Sequence, residues 1–178
     1  SQTVKLIQKI ISKIKIPAVI DADGINALSK NSDILKKVKT RLVLTPHPGE
    51  LSRFLSVKTS DIQNDRIKFA EMAAEQFKKI FVLKGARTII CDEDGNIYIN
   101  PTGNPGMASG GVGDVLTGMI AGLIGQKLDL LSASIAGVYI HGLAGDIAKE
   151  KVGEISLTAS DILDKIPSAV KKVTGDYC

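Results

Sequence analysis

A chain of 178 residues, 44% hydrophobic and 24% charged, carries enough apolar material for one substantial core, which excludes a disordered tail. The formal net charge of +4 comes from lysines scattered among acids, such as Lys36, Lys37 and Lys39 near Asp33, and no basic run alternates with aromatics, which argues against nucleic acid as a partner. Two cysteines, Cys91 and Cys178, without CxxC spacing, and only two histidines argue against a zinc cluster and point to a reducing, cytoplasmic setting without a structural metal.

Val4, Ile7, Ile10, Ile11 and Ile14 recur at helical spacing, and the lysines between them leave no uninterrupted signal-peptide core. Pro17 closes that helix, and residues 18–23 form a short buried strand ending in carboxylates, followed by a helix near residues 25–28. Ile34, Leu35 and Val38 predict a short helix, residues 41–45 a second buried strand stopped by Pro46, and Ser60 and Asp61 the cap of one long helix over 62–79. A third strand occupies 80–83, and strands at 88–91 and 97–99 flank the turn 92–96 as an antiparallel hairpin. After the glycine-rich segment 101–113 come two apolar helices, 114–124 and 130–148, and a polar one over 159–166. The most apolar stretch, 115–144, is interrupted by Lys127 and Asp129, so its uncharged runs fall short of the roughly 18 residues of a membrane span and read as buried helices. This alternation is the signature of a layered α/β fold, with no repeat and no linker, and it begins in mid-theme, as though the first strands of the sheet lay elsewhere.

The strongest chemical signal is NPGMASGGVGD, residues 104–114, running straight into the helical pattern Val115, Leu116, Met119, Ile120 and Leu123. Glycines let a backbone bend around an anion, and the first amides of the next helix point at it, so a phosphate fits there. Asp114 reads either as an N-cap or as a general base. Three glycines within the four residues before it favour the base, because a cap needs no such density. As a base, Asp114 takes the proton of a substrate hydroxyl while its oxygen attacks a terminal phosphoryl group and glycine amides hold the negative charge. The segment lacks the Gly-Lys-Ser/Thr ending of a Walker loop.

Three further clusters follow strands, on the ligand side of an α/β sheet. His47, stiffened between Pro46 and Pro48, is either a rigid ligand-facing tip or part of an ordinary turn with Glu50 starting a helix; on physics alone the two readings weigh equally. Asp21 and Asp23 can hold Mg²⁺ through water or orient a ribose hydroxyl, although helix capping is favoured for Asp23. Lys84, Gly85, Ala86, Arg87 and Thr88 put a cation and a flexible glycine where a nucleotide phosphate can approach, with a solvated turn as the competing reading. His141, inside an apolar helix in HGLAGD, reads as a packing residue.

Taken in order, VIDADGINAL, LTPHPGEL, VLKGART and NPTGNPGMASGGVGDVLTGMIAGL resemble the NAD(P)H-hydrate dehydratase family, also described as the YjeF C-terminal or carbohydrate-kinase domain, with the match spanning residues 19–146. The resemblance implies a ribokinase-like three-layer α/β/α domain covering the whole chain, with a mostly parallel sheet and an antiparallel hairpin near 88–99. It also implies ADP- or ATP-dependent dehydration, with Mg²⁺, of (S)-NADHX or NADPHX to NADH or NADPH, and a homo-oligomer, often a tetramer, while the interrupted apolar runs argue against a membrane as partner. Carried over by motif, Asp114 is the catalytic aspartate and touches the hydrated nicotinamide, and His47 contacts that substrate. Gly110 and Gly111 form the anion hole, Gly113 and the turn from Lys84 to Thr88 hold the nucleotide, and no residue is assigned as a metal ligand. Ser109 stands where the family commonly has threonine and Val112 where it often has serine, so backbone contacts outlast side-chain ones there. The usual domain carries roughly a hundred more residues ahead of the point matching Ser1, so the chain is expected to be the C-terminal portion of a larger domain that depends on that segment. The competing readings are a small-molecule alcohol kinase of the same superfamily, acting on a hydroxymethylpyrimidine, a thiazole or a sugar, and a nucleotide-binding module without turnover. ADP against ATP, and NADHX against NADPHX, are left open by the residues.

Overall fold

The expected helix at the start forms as α1 (Gln2–Lys13), capped by the Ser1 hydroxyl and burying Ile11 while Ile7 and Ile14 pack against the same core. In this computed structural model, which describes residues 1–175, the chain divides into two compact units, Ser1–Ile99 and a second from Asn100 onward.

The first unit is built on a five-stranded sheet in the order β1 (Ala18–Ile20), β2 (Leu42–Leu44), β3 (Ile80–Leu83), β4 (Ile89–Cys91) and β5 (Ile97–Ile99). β1, β2 and β3 run parallel, with Ile20 opposite Leu44 and Leu44 opposite Phe81. β3, β4 and β5 form the expected antiparallel hairpin region, with Val82 opposite Ile90 and Ile90 opposite Tyr98. β2, β3 and β4 are buried at every residue, which is why they read as unbroken apolar runs.

α2 (Asp23–Ser29) and α3 (Asp33–Lys37) connect β1 to β2, and α4 (Pro48–Leu55), α5 (Thr59–Asn64) and α6 (Arg66–Phe77) connect β2 to β3. The single helix expected over 62–79 is therefore two. Asp65, at φ −147° and ψ 74°, leaves the helical region and turns its carboxylate to the Lys68 amide, a cap the short acidic side chain makes more readily than it continues a helix. The second of these helices stops at Lys78, which takes the left-handed conformation at φ 51°. Phe54, Phe77 and Phe81 meet beneath α4, α6 and β3 with ring centroids 4.8, 5.9 and 6.3 Å apart, in the tilted and edge-on arrangements aromatic quadrupoles favour.

The second unit holds a 3₁₀ turn (Pro105–Met107) and three helices: α7 (Val112–Gly125), α8 (Leu130–Val152) and α9 (Ala159–Thr174). Val112, Ile140, Ala144, Leu157, Ile162 and Ala169 are part of its core. α7 starts two residues earlier than expected, at Val112. α9 continues to Thr174 through Pro167; a proline inside a helix costs one amide bond, and the Thr158–Asp161 capping box and buried Ile162 and Ala169 outweigh that loss. α8 is, among the described residues, a helix long and apolar enough to cross a membrane by length and composition, and 56% of its apolar window is buried in the fold, in keeping with the expected buried helix. Cys91 is a buried free thiol that burial, with Asp92, Glu71 and Glu75 nearby, pushes up to about 11; Cys178 lies outside the described residues.

Candidate active site

At the C-terminal ends of the parallel strands, three of the anticipated segments come together in the first unit. Lys84, just past β3, places its Nζ 2.5 Å from Asp21 Oδ1, just past β1, and 4.0 Å from Glu50 Oε2. Its backbone amide donates to Pro46 O at 2.8 Å. The three side chains are mostly shielded, at 19%, 10% and 7% exposure, so this ammonium is committed to carboxylates of its own chain. The cation that was expected beside a nucleotide phosphate thus carries partners of its own, and its side chain ties β1, β3 and the start of α4 into one edge.

His47 has the turn role that was one of the two readings left open for it. Its φ of −84° and ψ of 166° are extended, as a residue before proline must be, and it is the N-cap of α4. Nδ1 accepts from the Gly49 amide at 3.0 Å, and Glu50 returns the bond by accepting from the His47 amide at 2.9 Å. The ring is nonetheless half exposed, with Nε2 3.4 Å from Glu50 Oε1. The proton-bearing nitrogen of the neutral ring is thus Nε2, since Nδ1 is occupied as an acceptor.

Asp23 is the first residue of α2 and makes no cap, contrary to the favoured reading. The cap position belongs to Ala22, at φ 46° and ψ −115°, in a turn closed by Gly24 N on Asp21 O at 2.9 Å. No group of three or more histidine, cysteine, aspartate or glutamate side chains that could hold a metal occurs among the described residues. A divalent ion there would be held by a nucleotide's phosphates with at most one or two carboxylates, the ordinary habit of Mg²⁺.

The turn from Lys84 to Thr88 projects its exposed tip, Gly85, Ala86 and Arg87, beyond β3. Gly85 stands at φ 143° and Arg87 at φ 56°, and the Thr88 hydroxyl donates to Gly85 O at 3.0 Å. Beneath it lies a residue the sequence did not announce. Arg66, the first residue of α6, donates Nη2 to Leu83 O at 3.1 Å and to Lys84 O at 3.3 Å, and Nη1 to Ala86 O. Burial pulls its guanidinium below the ordinary arginine value, and its Nε is buried without a partner.

In the second unit, Gly111, at φ 84°, is the N-cap of α7, so Val112, Gly113 and Asp114 are the first three helical residues. Their amides have no acceptor within the helix, whose first bond runs from Val115 N to Gly111 O at 3.2 Å. Gly110 is exposed with open space where a Cβ would stand, so a ligand can approach its backbone closely. Asp114 is exposed and is not the cap, which removes the competing reading of that aspartate.

HGLAGD, on α8, underpins the same loop. His141 Nε2 lies 3.1 Å from Val112 O, and since a carbonyl only accepts, Nε2 carries the proton. Asp146 accepts from Gly103 N and from Asn104 Nδ2, each at 2.9 Å, and Asn104 in turn caps the 3₁₀ turn. Gly142 and Gly145 leave room for Thr102 and Met107. His141 is the packing residue its sequence context suggested, and Asp146 and Asn104 are the supports that context did not reveal.

A mixed sheet with charged strand ends and a glycine loop opening a helix N-terminus define a ribokinase-like α/β protein, the class of its structural relatives. The family model described as NAD(P)H-hydrate dehydratase matches residues 1–168, and the chain belongs to that family. It is 46% identical over 96% of its length to the bifunctional NAD(P)H-hydrate repair enzyme of Moorella thermoacetica, of which it covers 32%, and 36% identical over 88% of its length to the ADP-dependent (S)-NAD(P)H-hydrate dehydratase of Bacillus subtilis, of which it covers 55%. A crystal structure of the ADP/ATP-dependent NAD(P)H-hydrate dehydratase from Bacillus subtilis, co-crystallized with ATP/Mg²⁺, superimposes with a TM-score of 0.87 at 34% identity, over 97% of this chain and 60% of that one. The chain thus spans about a third to somewhat over half of the length of these relatives.

Proposed function

We propose that the protein containing this chain dehydrates (S)-NADHX or NADPHX to NADH or NADPH at the expense of ADP or ATP with Mg²⁺. The observation that carries this is Asp114: an exposed carboxylate, not used as a cap, beside the acceptor-less amides of a helix start, in a chain of the dehydratase family. In this reading the substrate hydroxyl gives its proton to Asp114 as its oxygen takes the terminal phosphoryl group and the nucleotide leaves one phosphate shorter. The C–O bond then breaks, phosphate departs with that oxygen, and the neighbouring carbon loses a proton to form the double bond of NADH or NADPH. The Gly110 and Gly111 backbone lodges the negative charge, and Gly113 belongs to the nucleotide's surroundings. The turn of Lys84, Gly85, Ala86, Arg87 and Thr88 receives the nucleotide through its backbone, and His47 offers Nε2–H to an acceptor on the hydrated nicotinamide. The matched span of the family model, which runs across both compact units, supports reading them as parts of one domain. A cytoplasmic homo-oligomer, such as a tetramer, is the setting proposed for it.

The test is recovery of the 340 nm absorbance of NADH from its hydrate by the full-length protein with ADP or ATP and Mg²⁺, beside Asp114→Ala. Recovery that needs nucleotide and falls by about 10²-fold or more in the variant is the expected outcome. A folded, nucleotide-binding parent that recovers no NADH, but leaves a stable phosphorylated alcohol when offered one, would replace the dehydratase reading with the kinase one.

A further inference from the structure

The 84–88 turn owes its shape to a side chain that lies outside it, and we propose that Arg66 is a positioning residue for nucleotide binding: by holding two carbonyls of the turn and the last carbonyl of β3 it aims the turn's amides outward. This rests on reading the turn as part of the nucleotide site.

The argument starts from the peptide unit. In a trans peptide the N–H points opposite to the C=O of the same unit, and the described chain contains no cis peptide bond. Arg66 binds Lys84 O and Ala86 O, so the amides of those two peptide units, which are the N–H groups of Gly85 and Arg87, face away from the guanidinium. The third carbonyl, Leu83 O, belongs to the unit whose amide, that of Lys84, donates to Pro46 O. Two alternate amides of an exposed tip are thus turned to the side opposite Arg66, an arrangement that receives the acceptor-rich parts of a nucleotide.

Holding the turn this way requires conformations an unsupported loop would leave. Arg87 is a non-glycine residue at φ 56°, and Gly85, at φ 143°, has no Cβ, which if present would stand 3.0 Å from Arg66 Nη2. A planar guanidinium spans three carbonyls at fixed angles; a lysine ammonium in its place carries charge but not that geometry. Arg66 itself starts a helix, which the Asp65 carboxylate caps at the Lys68 amide, so the clamp is anchored on a rigid element.

The experiment compares Arg66→Gln and Arg66→Lys with the parent in the full-length protein, reading the Kd for ADP by calorimetry, KM for the nucleotide against kcat, and amide hydrogen exchange at residues 84–88 with and without ADP. The expected result is a rise of about tenfold or more in the ADP Kd and nucleotide KM of Arg66→Gln, a smaller rise in Arg66→Lys, and kcat close to the parent's. Where Arg66→Gln does not fold, Arg66→Lys decides alone. If ADP protects the 84–88 amides of the parent and the folded variants bind ADP with the parent's Kd, the positioning role is overturned. If ADP leaves those amides unprotected in the parent, the assignment of the turn to the nucleotide fails first, and the two failures are told apart.

Discussion

At Ala22 the backbone stands at φ 46° and ψ −115°, the conformation glycine takes at the second position of a type II′ turn, here closed by Gly24 N on Asp21 O at 2.9 Å. A Cβ in that region costs about 1–3 kcal/mol, and the structure holds it because Asp21 is locked to Lys84 on one side and Ile25 and Leu28 of α2 are buried on the other. Ala22 is exposed, so removing its methyl group gives up no core packing. Ala22→Gly relieves the strain and loses about 0.4–1 kcal/mol to the freer unfolded chain, leaving a net gain of about 1 kcal/mol, read as a Tm higher by about 2–4 °C. A Tm at or below the parent's would show that the neighbouring contacts do not force this conformation against a real penalty. At the same scale, what the sequence revealed of the site follows chain distance. His47, Gly85, Gly111 and Asp114 announce themselves because prolines, glycines and a helix start lie beside them. The Lys84–Asp21 pair joins residues 63 positions apart, and Arg66 reaches carbonyls 17 to 20 positions away, so neither leaves a local pattern to read.

Helices of the second unit show where propensity yields to packing. Alanine is favoured over glycine inside a helix by about 1 kcal/mol, so a glycine there is either tolerated or required. On α8, a Cβ at Gly142 would overlap Thr102, whose carbonyl carbon would lie 2.9 Å away and whose hydroxyl already donates to Tyr139 O at 2.9 Å or to Asn100 Oδ1 at 3.0 Å. On α7, a Cβ at Gly118 would meet nothing within 4 Å. Gly118→Ala is therefore expected to stabilise by about 0.5–1 kcal/mol, whereas Gly142→Ala destabilises by about 1–3 kcal/mol because backbone must move, with both read from urea unfolding midpoints. Equal and favourable shifts in both would mean that the loop over α8 yields freely, and Asp146 would then hold less than its two bonds suggest. The elements themselves were legible wherever one face or both faces had to be apolar: the strands as unbroken runs, α1 by its helical stripe. The break between α5 and α6 was not, because Asp65 competes with a helix through a bond to a backbone amide that hydrophobic spacing does not register.

For the molecule as a whole, the buried histidine of α8 sets the direction in which acid acts. Burial pulls His141 down to about 4 from an ordinary value of 6.5, only partly opposed by its bond to Val112 O. The folded state therefore keeps the ring neutral while the unfolded chain takes up a proton below pH 6.5, so the unfolded state binds more protons and stability falls as pH is lowered from 6.5 toward 4. Integrated over that window the loss approaches about 3 kcal/mol, with most of it spent before the carboxylates matter. Burial alone would raise the Asp92 carboxyl, but bonds from Asn96, Asp94 and Gly95 outweigh it and hold the group below 3.8, so its contribution is present above that value and is lost only as pH falls further. The two windows are separable. Unfolding free energies between pH 7 and 4.5 are expected to decline in the parent and to flatten in His141→Gln, whose side-chain amide can still donate to Val112 O. His47, the other histidine, is present in both proteins and cancels in the comparison. Protonation adds its proton at Nδ1 and leaves the Nε2–H bond to Val112 O in place, so acid reaches the helix start that carries Gly113 and Asp114 only through unfolding, and loss of the proposed nucleotide binding should track the parent's stability loss and not precede it. A parent whose stability is level down to pH 4.5, or a variant with the parent's slope, would show that burial of His141 does not set the acid sensitivity of the fold.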